Sequence, residues 1–202
     1  MEPGETIGRF TIIAMLDGDA GLARDPTLGR EVVVRRFDPP PDAAALRREV
    51  LPATSALDGI ASLHEVVRDG DAWVAVFEPV AGEPLTRWAC APGRSAREVA
   101  AVFRALAVRL AALHAAGDAH GALTAASVAI DGARVTIVDH GLAALAGARP
   151  TSAQDARAFA ALWQRTLAQA GLHAPRALRR ALASEPPRSI ASWCAPAPRR
   201  WP

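Results

Sequence analysis

The stretch Gly117-Asp118-Ala119-His120-Gly121-Ala122-Leu123-Thr124-Ala125-Ala126-Ser127, followed eleven residues later by Val138-Asp139-His140-Gly141, decides how this chain is read. Between the two lies a short hairpin, with Val128–Ile130 and Val135–Val138 as arms and Asp131-Gly132 as the turn. Upstream, Ala96 to Ala115 has the apolar spacing of a long helix, and Gly117 ends it. The order helix, polar loop, hairpin, Asp-x-Gly places two polar loops at the ends of regular elements, where chemistry-bearing residues collect.

Working outward, Phe10 to Leu16 reads as a strand, as does Glu31 to Phe37, whose run Val32-Val33-Val34 predicts burial on both faces. Pro39, Pro40 and Pro41 stop that strand, and Asp42 is placed to cap a helix through Leu46 and Val50 that ends or kinks at Pro52. Asp69-Gly70 turns a hairpin between Leu63–Val67 and Trp73–Phe77. After Gly141 the pattern is helical again, from Asp155 to about Gln169 and from Pro175 to Ala183. A Pro- and Arg-rich end follows. A β-rich half precedes a helical half, with the boundary near Ala81-Gly82-Glu83-Pro84, so the fold class is α+β.

Composition narrows the function classes. With 202 residues, half of them hydrophobic and only 5% aromatic, Ala, Val and Leu must fill the core. The net charge is +2, and every one of the 23 basic residues is Arg, so no reaction that needs a lysine ammonium is open to the chain. These arginines are scattered, without a basic stripe or a stacking aromatic cluster, which argues against nucleic acid as a partner. Cys90 and Cys194 form neither a metal-ligand spacing nor a disulfide framework, and the five His are not spaced as ligands. A reduced, cytoplasmic setting fits them. Val99 to His114 carries Arg104 and Arg109, so it is a core helix and no membrane span is expected.

Several phrases, taken in order, resemble bacterial protein kinases of the eukaryotic Ser/Thr type. Ile7-Gly8-Arg9-Phe10 and Leu22 through Arg35 are similar to the first three strands of such a domain, and Glu49 is placed like the glutamate of the next helix. Val76-Phe77-Glu78-Pro79-Val80-Ala81-Gly82-Glu83-Pro84-Leu85 resembles the hinge. Leu113-His114-Ala115-Ala116-Gly117, His120-Gly121-Ala122-Leu123 and Val138-Asp139-His140-Gly141 are similar to the long helix, the catalytic loop and the Asp-Phe-Gly region. Beyond Gly141 only Asp155 and the phrase Leu178–Pro187 continue the likeness, and no Ala-Pro-Glu motif is present. The resemblance implies a protein-kinase-like fold with a small β-rich N-lobe over 7–82, a shortened helical C-lobe over 83–185, and a tail over 186–202.

The resemblance also implies what has been lost. Kinases position and neutralise a transferring phosphoryl group with a few parts. Here the phosphate-covering turn, Leu16-Asp17-Gly18-Asp19-Ala20-Gly21, is short and carries two acidic residues. Arg35 stands at the lysine position, where it is expected to bridge to Glu49. Ala122 stands at the proton-accepting aspartate, and Ser127 near the metal-ligating asparagine. His120-Gly121 is also similar to the His-Gly-Asp of aminoglycoside-kinase-like phosphotransferases, which need the same carboxylate.

No catalytic residue is therefore assigned. The residues left to line a nucleotide site are Arg35, Glu49, Glu78, Val80 and Asp139. Phe77 stands behind them and narrows the space. Asp139 is the one group placed to bind Mg²⁺ if ATP supplied the other oxygens; otherwise it caps the adjoining turn. The expectation is a non-catalytic, protein-binding or regulatory module without a cofactor. The alternative is an altered phosphotransferase or an ATP-binding sensor, with Asp118 the nearest carboxylate for a relocated base.

Overall fold

The apolar runs that lack strict alternation are explained by a sheet covered on both faces. In the computed structural model, which describes residues 1–16, 20–37, 57–70, 72–173 and 190, six strands form one antiparallel sheet. They are β1 (Thr6–Ile7), β2 (Phe10–Met15), β3 (Ala20–Asp25), β4 (Arg30–Phe37), β5 (Leu63–Asp69) and β6 (Ala72–Phe77), in the order β1-β2-β3-β4-β6-β5. One face buries Ile7, Phe10, Ile12, Ala23, Val32, Val34, Val74 and Val76. The other buries Leu63, Val66, Ala75 and Phe77, with Val33, Phe37 and Trp73 packed beside them. Val74 and Val76 thus face one way and Ala75 and Phe77 the other, which is the period-two geometry of a strand buried twice.

Two compact units divide the described chain, and the division is not a simple cut in sequence. One comprises 1–81 together with 138–149; the other comprises 82–137 and the residues from 150 onward. In the first unit, the short helix α1 (Leu142–Leu145) adds Leu142 and Leu145 to the second face of the sheet. An Arg9 guanidinium ties β1–β2 to β3 and β5. It donates to both Asp25 oxygens at 3.2 and 3.1 Å and to both Glu65 oxygens, and it lies 4.4 Å over the Phe10 ring. Asp25, fully buried, also accepts from the Thr27 and Leu28 amides and so shapes the turn to β4.

In the second unit, β7 (Glu83–Pro84), β8 (Val128–Asp131) and β9 (Arg134–Ile137) form a small antiparallel sheet. Helix α2 (Leu85–Cys90) follows β7 directly. Helix α3 (Ala96–Ala115) opens on a capping box between Ser95 and Glu98, as its Ser-x-x-Glu sequence predicts. It closes on a Schellman arrangement, with Gly117 at φ 83°, its amide donating to the His114 carbonyl, and the Asp118 amide donating to the Leu113 carbonyl. Helix α4 (Ser152–Gln169) begins three residues before the expected Asp155, because Thr151 and Gln154 make a second capping box. Phe103 of α3 and Trp163 of α4 stack with ring centroids 5.1 Å apart, and Phe159 meets both edge-on. Trp163 is core, as its place on the helix predicts.

The acidic turn 17–19, the helix expected after Asp42 with Glu49, the helix 175–183 and the tail with Cys194, Trp193, Trp201, Arg199 and Arg200 lie outside the described residues. Among the described residues no helix is long and apolar enough to cross a membrane.

Candidate functional site

Arg35 projects from β4 in register with Ala20 of β3 and Ala75 of β6, on the same face as Val33 and the buried Phe77. Its Nε donates to Oδ1 of Asp139 at 2.5 Å. Both side chains are largely withdrawn from water, at 17% and 14% exposure, so the charges meet in a poorly screened setting. Asp139 is the described non-glycine residue with a positive φ, 63°, a conformation that aspartate tolerates better than most residues. Its carbonyl accepts from the Leu142 amide, but the N-cap of α1 is Gly141 and carries no side-chain cap. One carboxylate oxygen of Asp139 is engaged by Arg35, while its carbonyl closes the turn to Leu142. The Arg35–Glu49 bridge falls on a residue outside the description, and the partner of Arg35 that the structure displays is Asp139.

The other residues expected along this strand edge are more ordinary in their surroundings. Glu78 is exposed; its amide donates to the Ser62 carbonyl at 2.9 Å, and its carboxylate accepts from the Ser62 amide at 3.3 Å. Val80 is half-buried. Phe77, read as lining the back of a pocket, is a core residue packed with Leu145.

In the second unit, the polar loop is organised by Asp155, whose side chain is 1% exposed. One of its oxygens accepts from His114 Nε2 and from the His120 amide, both at 2.8 Å; the other accepts from the Gly121 amide at 2.8 Å. A carboxylate with three charge-assisted hydrogen bonds holds the loop backbone firmly. His120 is buried and its Nδ1 accepts from the Ala122 amide at 3.3 Å, which ties the imidazole into the loop turn. Ser127 is spent locally: its Oγ donates to the Thr124 carbonyl at 2.9 Å and accepts from the Thr124 amide at 2.8 Å. The Ala122 side chain is exposed and carries no polar atom.

Burial pushes the Asp155 carboxyl up, but hydrogen bonds from His114, Gly121 and His120 outweigh it and hold the group below the ordinary aspartate value of 3.8. The unfolded chain therefore takes up this proton first as pH falls. The stabilisation is complete above 3.8 and is lost as pH drops through the lower folded value. Asp25, held down chiefly by Arg9, acts in the same direction. Acid titration followed by circular dichroism should show stability falling below about pH 4. Asp155→Asn, less stable at neutral pH, should show a shallower loss; an identical acid slope in both proteins would remove Asp155 from this role.

Asp155 was visible in the sequence only as a continuation of the likeness, and nothing in its neighbours pointed to His114, 41 positions away. The Arg9–Asp25–Glu65 group was not foreseen at all. Asp25-Pro26-Thr27 is a turn signal that marks Asp25, but no local pattern names its partners.

No family model and no curated protein matches this chain. Among solved structures it is similar to the kinase domain of Mycobacterium tuberculosis PknI, seen in a cysteine-to-alanine variant at 21% identity and TM-score 0.72, with 96% of each chain covered. A double variant of the same domain matches at 21% identity and TM-score 0.67, again over 96% of each chain. The fold is that of a protein kinase domain, α+β, with a β-rich first half and a helical second half. Because a chain described as a kinase domain is covered almost end to end, the length of the second half does not by itself separate this chain from kinases.

Proposed function

We propose that this chain is a catalytically inactive, protein-kinase-like domain that serves as a protein-binding or regulatory module. The observation that carries this reading is the state of the loop at 120–127. Its backbone is held by Asp155 and His120, yet a methyl group stands at Ala122, where a kinase needs a proton acceptor. Loss of a fold would loosen the loop; loss of chemistry alone removes the acid group and leaves the scaffold.

The reading includes no magnesium–nucleotide complex. Mg²⁺ is held by one or two carboxylates with phosphate oxygens and water. Asp139 Oδ1 is engaged by Arg35 and Ser127 Oγ is engaged within its own turn, which supports a reading without bound Mg²⁺. A domain freed from turnover can still present surfaces to a protein partner.

Melting the purified chain with ATP and Mg²⁺ tests the cofactor side of this reading. The melting temperature should not move beyond scatter. A reproducible upward shift would replace the structural module by an ATP-binding sensor. Phosphate transfer from labelled ATP tests inactivity itself.

A further inference from the structure

We propose that Arg35 is a built-in counter-ion for Asp139, and that the pair latches segment 138–149 onto the first sheet in place of a divalent cation. The proposal rests on the functional reading above and concerns the regulation of the same site.

Three observations meet here. The first is position: Arg35 emerges from the middle of the sheet, between Ala20 and Ala75, on the face that receives Leu142 and Leu145. The ion pair and the leucines therefore hold one short segment against one face. The second is conformation: Asp139 sits at φ 63°, which aspartate adopts more readily than most residues but at some cost to an L side chain. A short hydrogen bond to a guanidinium and the burial of Leu145, six residues later in the same unit, hold it there.

The third is chemistry. A divalent ion as small as Mg²⁺ would have to sit about 2.1 Å from a carboxylate oxygen. Arg35 Nε already lies 2.5 Å from Oδ1, so an ion at that oxygen would stand against a permanent cation. Lysine could be swung aside or deprotonated; a guanidinium keeps its charge and its fork. The segment is thus fastened without metal, and metal at Oδ1 requires the latch to open.

The test uses the full chain, MnCl₂ alone as the paramagnetic probe, and ¹H–¹⁵N spectra. In the wild type, amide signals of 138–142 should be no broader than those near other surface carboxylates. In Arg35→Met the same signals should broaden selectively, and in Arg35→Met with Asp139→Asn that broadening should disappear. Selective broadening in the wild type, or none in a folded Arg35→Met, overturns the proposal. Should Arg35→Met not fold, hydrogen exchange in Asp139→Asn carries the test: amides of 142–146 should exchange at least tenfold faster than in the wild type, and unchanged rates refute the latch. A wild type that binds Mn²⁺ at 138–142 but transfers no phosphate would sink the latch and leave the functional reading standing; the reverse pair of results would do the opposite.

Discussion

Replacing Asp155 by alanine is expected to cost about 3–5 kcal/mol of folding stability, the range for breaking a buried charged group away from its partners. The substitution leaves the His120 and Gly121 amides without their acceptor and removes the partner of His114 Nε2. Each buried donor so stranded costs about 1–3 kcal/mol. For a chain of this size the melting temperature should fall by about 6–20 °C. Asp155→Asn, which keeps one acceptor oxygen, should fall between. Thermal melts of the three proteins check this. A drop under about 2 °C in Asp155→Ala would mean the loop is held by something other than this carboxylate.

Gly82→Ala should be as damaging for a different reason. Gly82 has φ 109°, and a Cβ built there would lie 2.4 Å from the Ile130 carbonyl oxygen, 2.6 Å from its carbon and 2.9 Å from the Asp131 nitrogen. All three are backbone atoms of β8, the strand to which β7 is paired through Glu83 and Pro84, so no side chain can swing away. Strain at φ 109° and displacement of a paired strand together should cost about 3 kcal/mol or more. Gly93, also at positive φ (80°) but with open space around it, is the control; its alanine variant should lose only about 1 kcal/mol. Equal losses at the two positions, measured by urea unfolding, would show that backbone strain alone is responsible and that the close approach to β8 matters little.

These two residues also mark how far the sequence could be read. Gly82 stood out as part of a Gly-Pro boundary, but its reason, contact with a strand nearly fifty positions later, is a tertiary fact with no local signal. The helices at 96–115 and 152–169 were legible because capping boxes and apolar spacing are local. The hairpins were legible through Asp-Gly turns. Strand β3, with Gly21 and Arg24 in it, lacks a β-branched run and emerged only through the likeness to kinases. Helix α2 is short and follows a two-residue strand, and neither has a pattern long enough to recognise.

The candidate site divides in the same way. The loop at 120–127 was legible as a polar loop after a helix, and the structure displays Ala122 exposed and Ser127 bonded within its own turn. The choice of Asp139 as the partner of Arg35 was not legible, because 104 positions separate them and the turn reading of Asp139 was equally consistent with the sequence. Segment 138–149 packs with the first unit although it follows residues of the second, so chain order misassigns the unit to which the Asp-His-Gly phrase belongs.

The central claim, that a kinase-like scaffold here lacks the group that accepts the hydroxyl proton, is tested most directly by phosphate transfer. The purified wild-type chain is incubated with γ-labelled ATP, Mg²⁺ or Mn²⁺, and protein acceptors including the chain itself. The account predicts incorporation no greater than in a heat-inactivated sample. Incorporation above that level, abolished by Asp139→Ala in a protein that still folds, would contradict it.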